Sequence, residues 1–136
     1  MSKAKAAKTA RKPAGAGRLI FVVDDNALLG EYAVAVLQGA GYEIKSFTDP
    51  KAVLAALKTA DPKPAALVTD YEMAEMDGLE LIASSRKIHP PLKTVLLSGS
   101  VEREFISQLP GKVHKFLGKP YMPAQLKDTV GDLLHP

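Results

Sequence analysis

The chain has 136 residues, 46% of them hydrophobic, and a formal net charge of +3, which suits one domain with an ordinary buried core. It contains no cysteine, which excludes a disulfide framework, a thiolate metal site and a cysteine nucleophile, and which fits a reducing cytoplasm. No apolar stretch approaches the roughly 18 residues needed to cross a bilayer, and the first apolar run, Leu19 to Val23, is too short for a signal sequence, so a cytoplasmic protein without membrane insertion is expected.

The charge divides unevenly. Residues 1–18 carry Lys3, Lys5, Lys8, Arg11, Lys12 and Arg18 and no acid, so the remainder of the chain is net negative. Short of large apolar residues to offset its ordering entropy, segment 1–17 is expected to be a disordered basic tail, with the folded domain over 18–136. The tail offers no aromatic, Asn or Gln side chain to read bases, which argues against nucleic acid as a partner and for a solubilising extension.

From Arg18 onward, short apolar runs alternate with segments of helical period. Leu19 to Val23 reads as a buried strand ending at Asp24-Asp25. A helix over Ala27 to Gln38 follows, with Leu28, Tyr32, Val36 and Leu37 on one face and Gly39 and Gly41 as stop signals. Tyr42 to Phe47 is the second strand. Asp49 caps the next helix, Pro50 fits its first turn, and Val53, Leu54 and Leu57 form its apolar stripe until Asp61-Pro62-Lys63-Pro64 breaks it. Leu67 to Asp70 is the third strand, and Gly78 leads into a helix through Leu79, Ile82 and Ala83 that stops before His89-Pro90-Pro91. Thr94 to Leu97 is the fourth strand, Val101 to Leu109 a helix, Val113 to Leu117 the fifth strand, and Pro123 to Leu134 a last helix with Leu126, Val130, Leu133 and Leu134 apolar.

Five strand and helix pairs predict an α/β fold, a doubly wound parallel sheet with helices on both faces. Its carboxyl edge, where open α/β sheets bind ligands, gathers Asp24, Asp25, Asp70, Ser98 and Lys119. Alone, Asp70 reads equally as a turn former or helix cap, Asp24-Asp25 as caps, Ser98 as a turn residue and Lys119 as a surface lysine. Together they describe a different chemistry. Carboxylates about 4 Å apart repel by on the order of 4 kcal/mol at an effective dielectric near 20, so a cation must offset them. Without His or Cys, an all-oxygen set suits magnesium. Acids, a hard cation, a lysine and a hydroxyl suit phosphoryl transfer, with Asp70 as nucleophile. His89, His114 and His135 read as surface or loop residues.

The motifs Val22-Val23-Asp24-Asp25, Asp70-Tyr71-Glu72-Met73 with Met76-Asp77-Gly78, Leu97-Ser98-Gly99 and Phe116-Leu117-Gly118-Lys119-Pro120-Tyr121 resemble, in this order, the receiver domain of two-component response regulators. The resemblance implies a flavodoxin-like (βα)5 sheet of order 2-1-3-4-5, with Asp70 accepting a phosphoryl group from a histidine kinase or phosphotransfer protein. It implies Mg2+ held by Asp25 and Asp70 directly, by Asp24 through water and by the main-chain carbonyl of Glu72. It further implies Lys119 pairing with the acyl phosphate, a cis Lys119-Pro120 bond, and Ser98 with Phe116 as a switch pair. A downstream protein would dock on the face formed by segment 101–109 (helix 4), the fifth strand and the last helix (helix 5), and phosphorylated copies could pair into a homodimer through the last helices. Beyond self-phosphorylation and loss of the phosphoryl group at Asp70, no enzymatic activity is expected.

Ala74 stands where the family usually has Pro, implying a looser loop after Met73; Gly99 replaces a frequent Ala; Glu72 adds an acid. A single-domain regulator without its own output domain is the expectation. The alternatives are a receiver taken from a hybrid kinase or larger regulator, and a phosphohydrolase with an aspartyl nucleophile, for which Glu72 occupies the general-acid position.

Overall fold

Five short strands, the central three of them apolar runs, pair side by side in register, each parallel to its neighbours. A computed structural model describes residues 18–99 and 113–135. Strands β1 (Leu19–Val23), β2 (Glu43–Phe47), β3 (Ala66–Asp70), β4 (Lys93–Ser98) and β5 (Lys115–Gly118) form one sheet of order β2-β1-β3-β4-β5. This is the flavodoxin-like arrangement that the resemblance implied. The connecting helices among the described residues are α1 (Ala27–Gly39), α2 (Pro50–Thr59), α3 (Gly78–Ile88) and α4 (Pro123–Leu134). The expected helix over Val101 to Leu109 and the expected tail over 1–17 lie outside the described residues.

Alternation along the strands sends successive side chains to opposite faces. Ile20, Val22, Ala66, Val68, Val95, Leu97 and Leu117 pack beneath α1 and α4, whereas Phe21, Val23, Leu67 and Leu96 pack beneath α2 and α3. Because both faces are covered, β3 is buried along its whole length, which is why its sequence lacks a polar alternation.

Local chemistry fixes where the helices begin. Asn26 caps α1, its side chain accepting the N–H groups of Leu28 at 3.1 Å and Leu29 at 3.2 Å. Asp49 accepts the Lys51 N–H at 2.9 Å with Pro50 in the first turn. At α3 a full capping box forms: Asp77 accepts the Glu80 N–H at 2.9 Å and Glu80 accepts the Asp77 N–H at 3.0 Å.

Two predicted helix faces need correction. In α1 the buried residues are Ala33 and Leu37, while Leu28 is 74% and Tyr32 41% exposed. Gly30 lies beside Asp24, where an added Cβ would make an ordinary contact at 3.5 Å with the Asp24 Cβ. The buried stripe is therefore Ala33 and Leu37, with Val34 and Val36 partly buried against the same core, while Leu28, Leu29 and Tyr32 turn outward. In α3, Leu81, Ile82 and Ser85 are buried and Leu79 packs partly against the core, while Ala83 is exposed.

Candidate functional site

At the carboxyl edge each strand hands its last residue to a short, hydrogen-bonded turn. After β1, Asp24 is buried and its Oδ1 accepts the Asn26 N–H at 2.9 Å, which fixes the turn into α1. Asp25 is exposed, and its Oδ2 accepts the Ala74 N–H at 3.1 Å from the loop after β3. Helix capping thus falls to Asn26, and both acids face the strand ends. Asp70, the last residue of β3, is buried; next to it the Tyr71 N–H donates to the Leu97 carbonyl at 2.8 Å. Gly78 then returns to the same spot, its N–H donating to the Tyr71 carbonyl at 2.8 Å. A Cβ at Gly78 would collide with the Asp70 carbonyl oxygen and stand 2.7 Å from the Leu96 Cδ1, so only glycine permits this approach.

Lys119 follows β5. Its N–H donates to the Ser98 carbonyl at 2.9 Å, which extends the β4–β5 pairing and aims the side chain inward. Its Nζ reaches Asp70 Oδ1 at 2.8 Å and Asp24 Oδ2 at 3.4 Å, and the Lys119-Pro120 bond is cis. One carboxylate oxygen from each of Asp24, Asp25 and Asp70 lies within 4.8 Å of the others.

The electrostatics of the cluster are unbalanced. Burial pushes the Asp70 carboxyl above its ordinary range; the hydrogen bond and charge of Lys119 oppose this, and the neighbouring charges of Asp24 and Asp25 add to the rise. For Lys119, burial pulls downward, but the hydrogen bond to Asp70 and the charges of Asp24 and Asp70 prevail and hold the amine above its ordinary value. An ion pair by itself would lower the acid. Asp70 rises because burial outweighs what Lys119 gives its ionised form, and Lys119 rises because the neighbouring acids favour the charged amine. The all-oxygen, partly exposed donor set fits a hard divalent ion that keeps several waters. The cluster is therefore able to bind a metal.

Ser98 is buried at the end of β4 and Phe116 half-buried in β5. Register pairs Leu96 with Phe116 and Ser98 with Gly118, so Ser98 and Phe116 are diagonal neighbours on one face, with Phe116 packed on the cluster beneath α2 and α3. Glu72 is exposed two residues beyond Asp70.

Three features of the site escaped the sequence reading. The Ala74 N–H bond to Asp25 ties down a loop expected to be looser. Gly78 has a role in the site beyond helix initiation. At the rim, Tyr32 and Tyr121 place their rings 5.6 Å apart, and burial together with Tyr32, Asp24 and Asp70 pushes the Tyr121 hydroxyl up to about 12. The spacing Asp77-x-x-Glu80 was a legible capping signal; the contacts of Ala74 and Gly78 depend on tertiary approach and carry no local one.

The sequence pattern of the response regulator receiver domain matches residues 20–131. The chain belongs to this family. Among relatives, it is 30% identical to the response regulator receiver protein CpdR of Brucella abortus, over 85% of this chain and 92% of that protein. It is 31% identical to the sensor kinase CckA of the same organism, over 98% of this chain but 14% of the kinase. The match to the transcriptional regulator NtrC of Salmonella typhimurium likewise spans 22% of that protein. The receiver domain of NtrX from Brucella abortus superposes with a TM-score of 0.75 at 28% identity, covering 85% of this chain and 97% of that one. A CheY-like receiver domain from Methanospirillum hungatei gives 0.77 at 22% identity, covering 85% and 91%, and supports the fold. As a response regulator receiver, the chain is a module of two-component signalling.

Proposed function

We propose that this receiver accepts a phosphoryl group on Asp70 from a phosphohistidine of a kinase or phosphotransfer protein and changes a partner-binding face in response. The observation that carries the reading is the buried Asp70 carboxylate, 2.8 Å from the Lys119 amine within a three-acid cluster at the carboxyl edge. In the step, an Asp70 oxygen forms a bond to phosphorus while the bond from phosphorus to the donor imidazole nitrogen breaks. Lys119 neutralises charge on the acceptor and then on the phosphoryl oxygens, and Ser98 supplies a hydroxyl donor to one of those oxygens. Asp24, Asp25 and Asp70, with the Glu72 carbonyl, would hold Mg2+. When bound, that ion supplies charge neutralisation for the transferred group.

The donor is a protein because the rim is built for one. Leu28, Leu29, Tyr32 and Met122 are the large apolar side chains left exposed among the described residues, and all belong to α1 or the turn before α4, beside Asp25 and Tyr121. After transfer, a phosphoryl group on Asp70 draws the Ser98 hydroxyl inward, and Phe116, its diagonal neighbour, moves into the space released. The downstream partner then reads the surface formed by β5 and α4.

The test is labelling with acetyl phosphate and magnesium. One phosphoryl group per chain is expected, with complete loss in Asp70→Asn; catalytic turnover of a phosphomonoester would instead support a phosphohydrolase. Phe116→Ala should leave labelling intact and abolish the difference in partner affinity between the two phosphorylation states. Affinities that still differ as in wild type would remove Phe116 from the switch.

A further inference from the structure

We infer that the backbone N–H of Ala74 is a positioning group for the Asp25 carboxylate and sets how tightly the acid cluster takes a divalent cation. This rests on the cation reading above and adds to it a determinant outside the acids themselves. The three carboxylates are not held alike. Asp24 is buried and bonded to the Asn26 N–H and to Lys119, and Asp70 is buried against Lys119. Asp25 is exposed on the turn between β1 and α1, and among the described residues the Ala74 N–H, at 3.1 Å from Oδ2, is its one hydrogen-bond donor. Without that bond the carboxylate would sample several rotamers, and ion binding would bear the cost of ordering it. With Oδ2 committed to Ala74, the other oxygen is left to coordinate, the arrangement in which an outer hydrogen bond orients a ligand.

The donor is itself held in place. The Gly78 N–H closes the loop on the Tyr71 carbonyl at 2.8 Å, and Met73 and Met76 pack on the apolar cluster beneath α2 and α3. The Lys51–Glu75 pair, 3.4 Å apart with both side chains mostly exposed, adds little. The loop therefore presents the Ala74 N–H to Asp25 from an anchored frame. Any residue but proline can make this bond, since proline has no N–H to give.

Magnesium titration of the full, unphosphorylated chain, by calorimetry, separates the outcomes. Ala74→Pro should weaken binding about ten-fold, the scale of losing an outer-shell partner of a ligand, whereas Ala74→Ser, which keeps the N–H, should bind as wild type does. Circular dichroism reports whether Ala74→Pro has folded. If it has not, a semisynthetic chain with lactic acid at position 74, an ester lacking only the N–H, carries the same expectation. Independently, exchange of the Ala74 amide proton should be slow in wild type and fast in Asp25→Ala. Folded Ala74→Pro or the ester binding magnesium as tightly as wild type, or an Ala74 amide indifferent to Asp25→Ala, would overturn the inference. Absence of saturable magnesium binding in wild type would instead overturn the cation reading, and the exchange measurement would still decide the hydrogen bond.

Discussion

Helices α1 and α4 cover the same face of the sheet, yet they spend their apolar residues in opposite ways. Helix α4 buries Leu126, Val130, Leu133 and Leu134, the stripe its period predicts. Helix α1 buries Ala33 and Leu37 and turns Leu28, Leu29 and Tyr32 to solvent near Asp25. The first is a structural helix whose pattern answers only to the core. The second buries a shorter stripe, with Val34 and Val36 only partly buried beside it, and leaves large apolar side chains exposed toward its amino end.

The sharpest test of this contrast is a pair of truncations. Leu126→Ala, at a fully buried position, should cost about 2–5 kcal/mol in chemical denaturation. Leu28→Ser should change stability by no more than about 0.5 kcal/mol, yet slow phosphotransfer from the cognate protein donor while leaving labelling by acetyl phosphate untouched. Slowing of both donors alike by Leu28→Ser would place the residue in the chemistry and erase the distinction between the helices.

Between the two helices lies the acid cluster. The Asp70 carboxyl is raised in the fold, burial first and like charges adding to it. Its contribution to stability is therefore present below the unfolded pKa and lost as pH rises through the folded one, so at neutral pH the ionised group weighs against folding. Asp70→Asn should accordingly raise the melting temperature by a few degrees in chelator, on the order of 1 kcal/mol. Magnesium should stabilise wild type and leave the variant nearly unmoved. A variant less stable than wild type in chelator would mean that Lys119 offsets the repulsion fully.

The smallest effect concerns the place where the two regions touch. Tyr121, just before α4, is pushed up to about 12 by burial first and by Tyr32 of α1 next. Against an ordinary value of 10.0 the sign is clear: its contribution is intact below pH 10.0 and disappears as pH climbs toward about 12. Tyrosinate absorbance should show Tyr121 ionising last, and Tyr32→Phe should bring it down only part of the way, because burial remains.

The three central strands were legible because they are buried on both sides and read as apolar runs, whereas the edge strands β2 and β5 are partly exposed and were placed by the alternation with helices. Asp24, Asp70 and Lys119 meet as that reasoning requires. The face of α1 was legible only in part: Leu37 and Val36 lie against the core as expected, but Leu28 and Tyr32 turn outward and the small Ala33 is buried in their stead. The Ala74 bond was not legible either: its donor is a backbone group that every residue except proline shares, and only the return of the loop toward Asp25 gives it meaning.

Gly78 carries a last consequence. With nothing beyond its α-carbon, it lets α3 begin flush against the peptide group of Asp70. A single methyl there would have to lift the helix or tip the strand end, shifting Asp70 away from the lysine that steadies it. Signalling could then be silenced by adding mass at a position that has no functional group to lose.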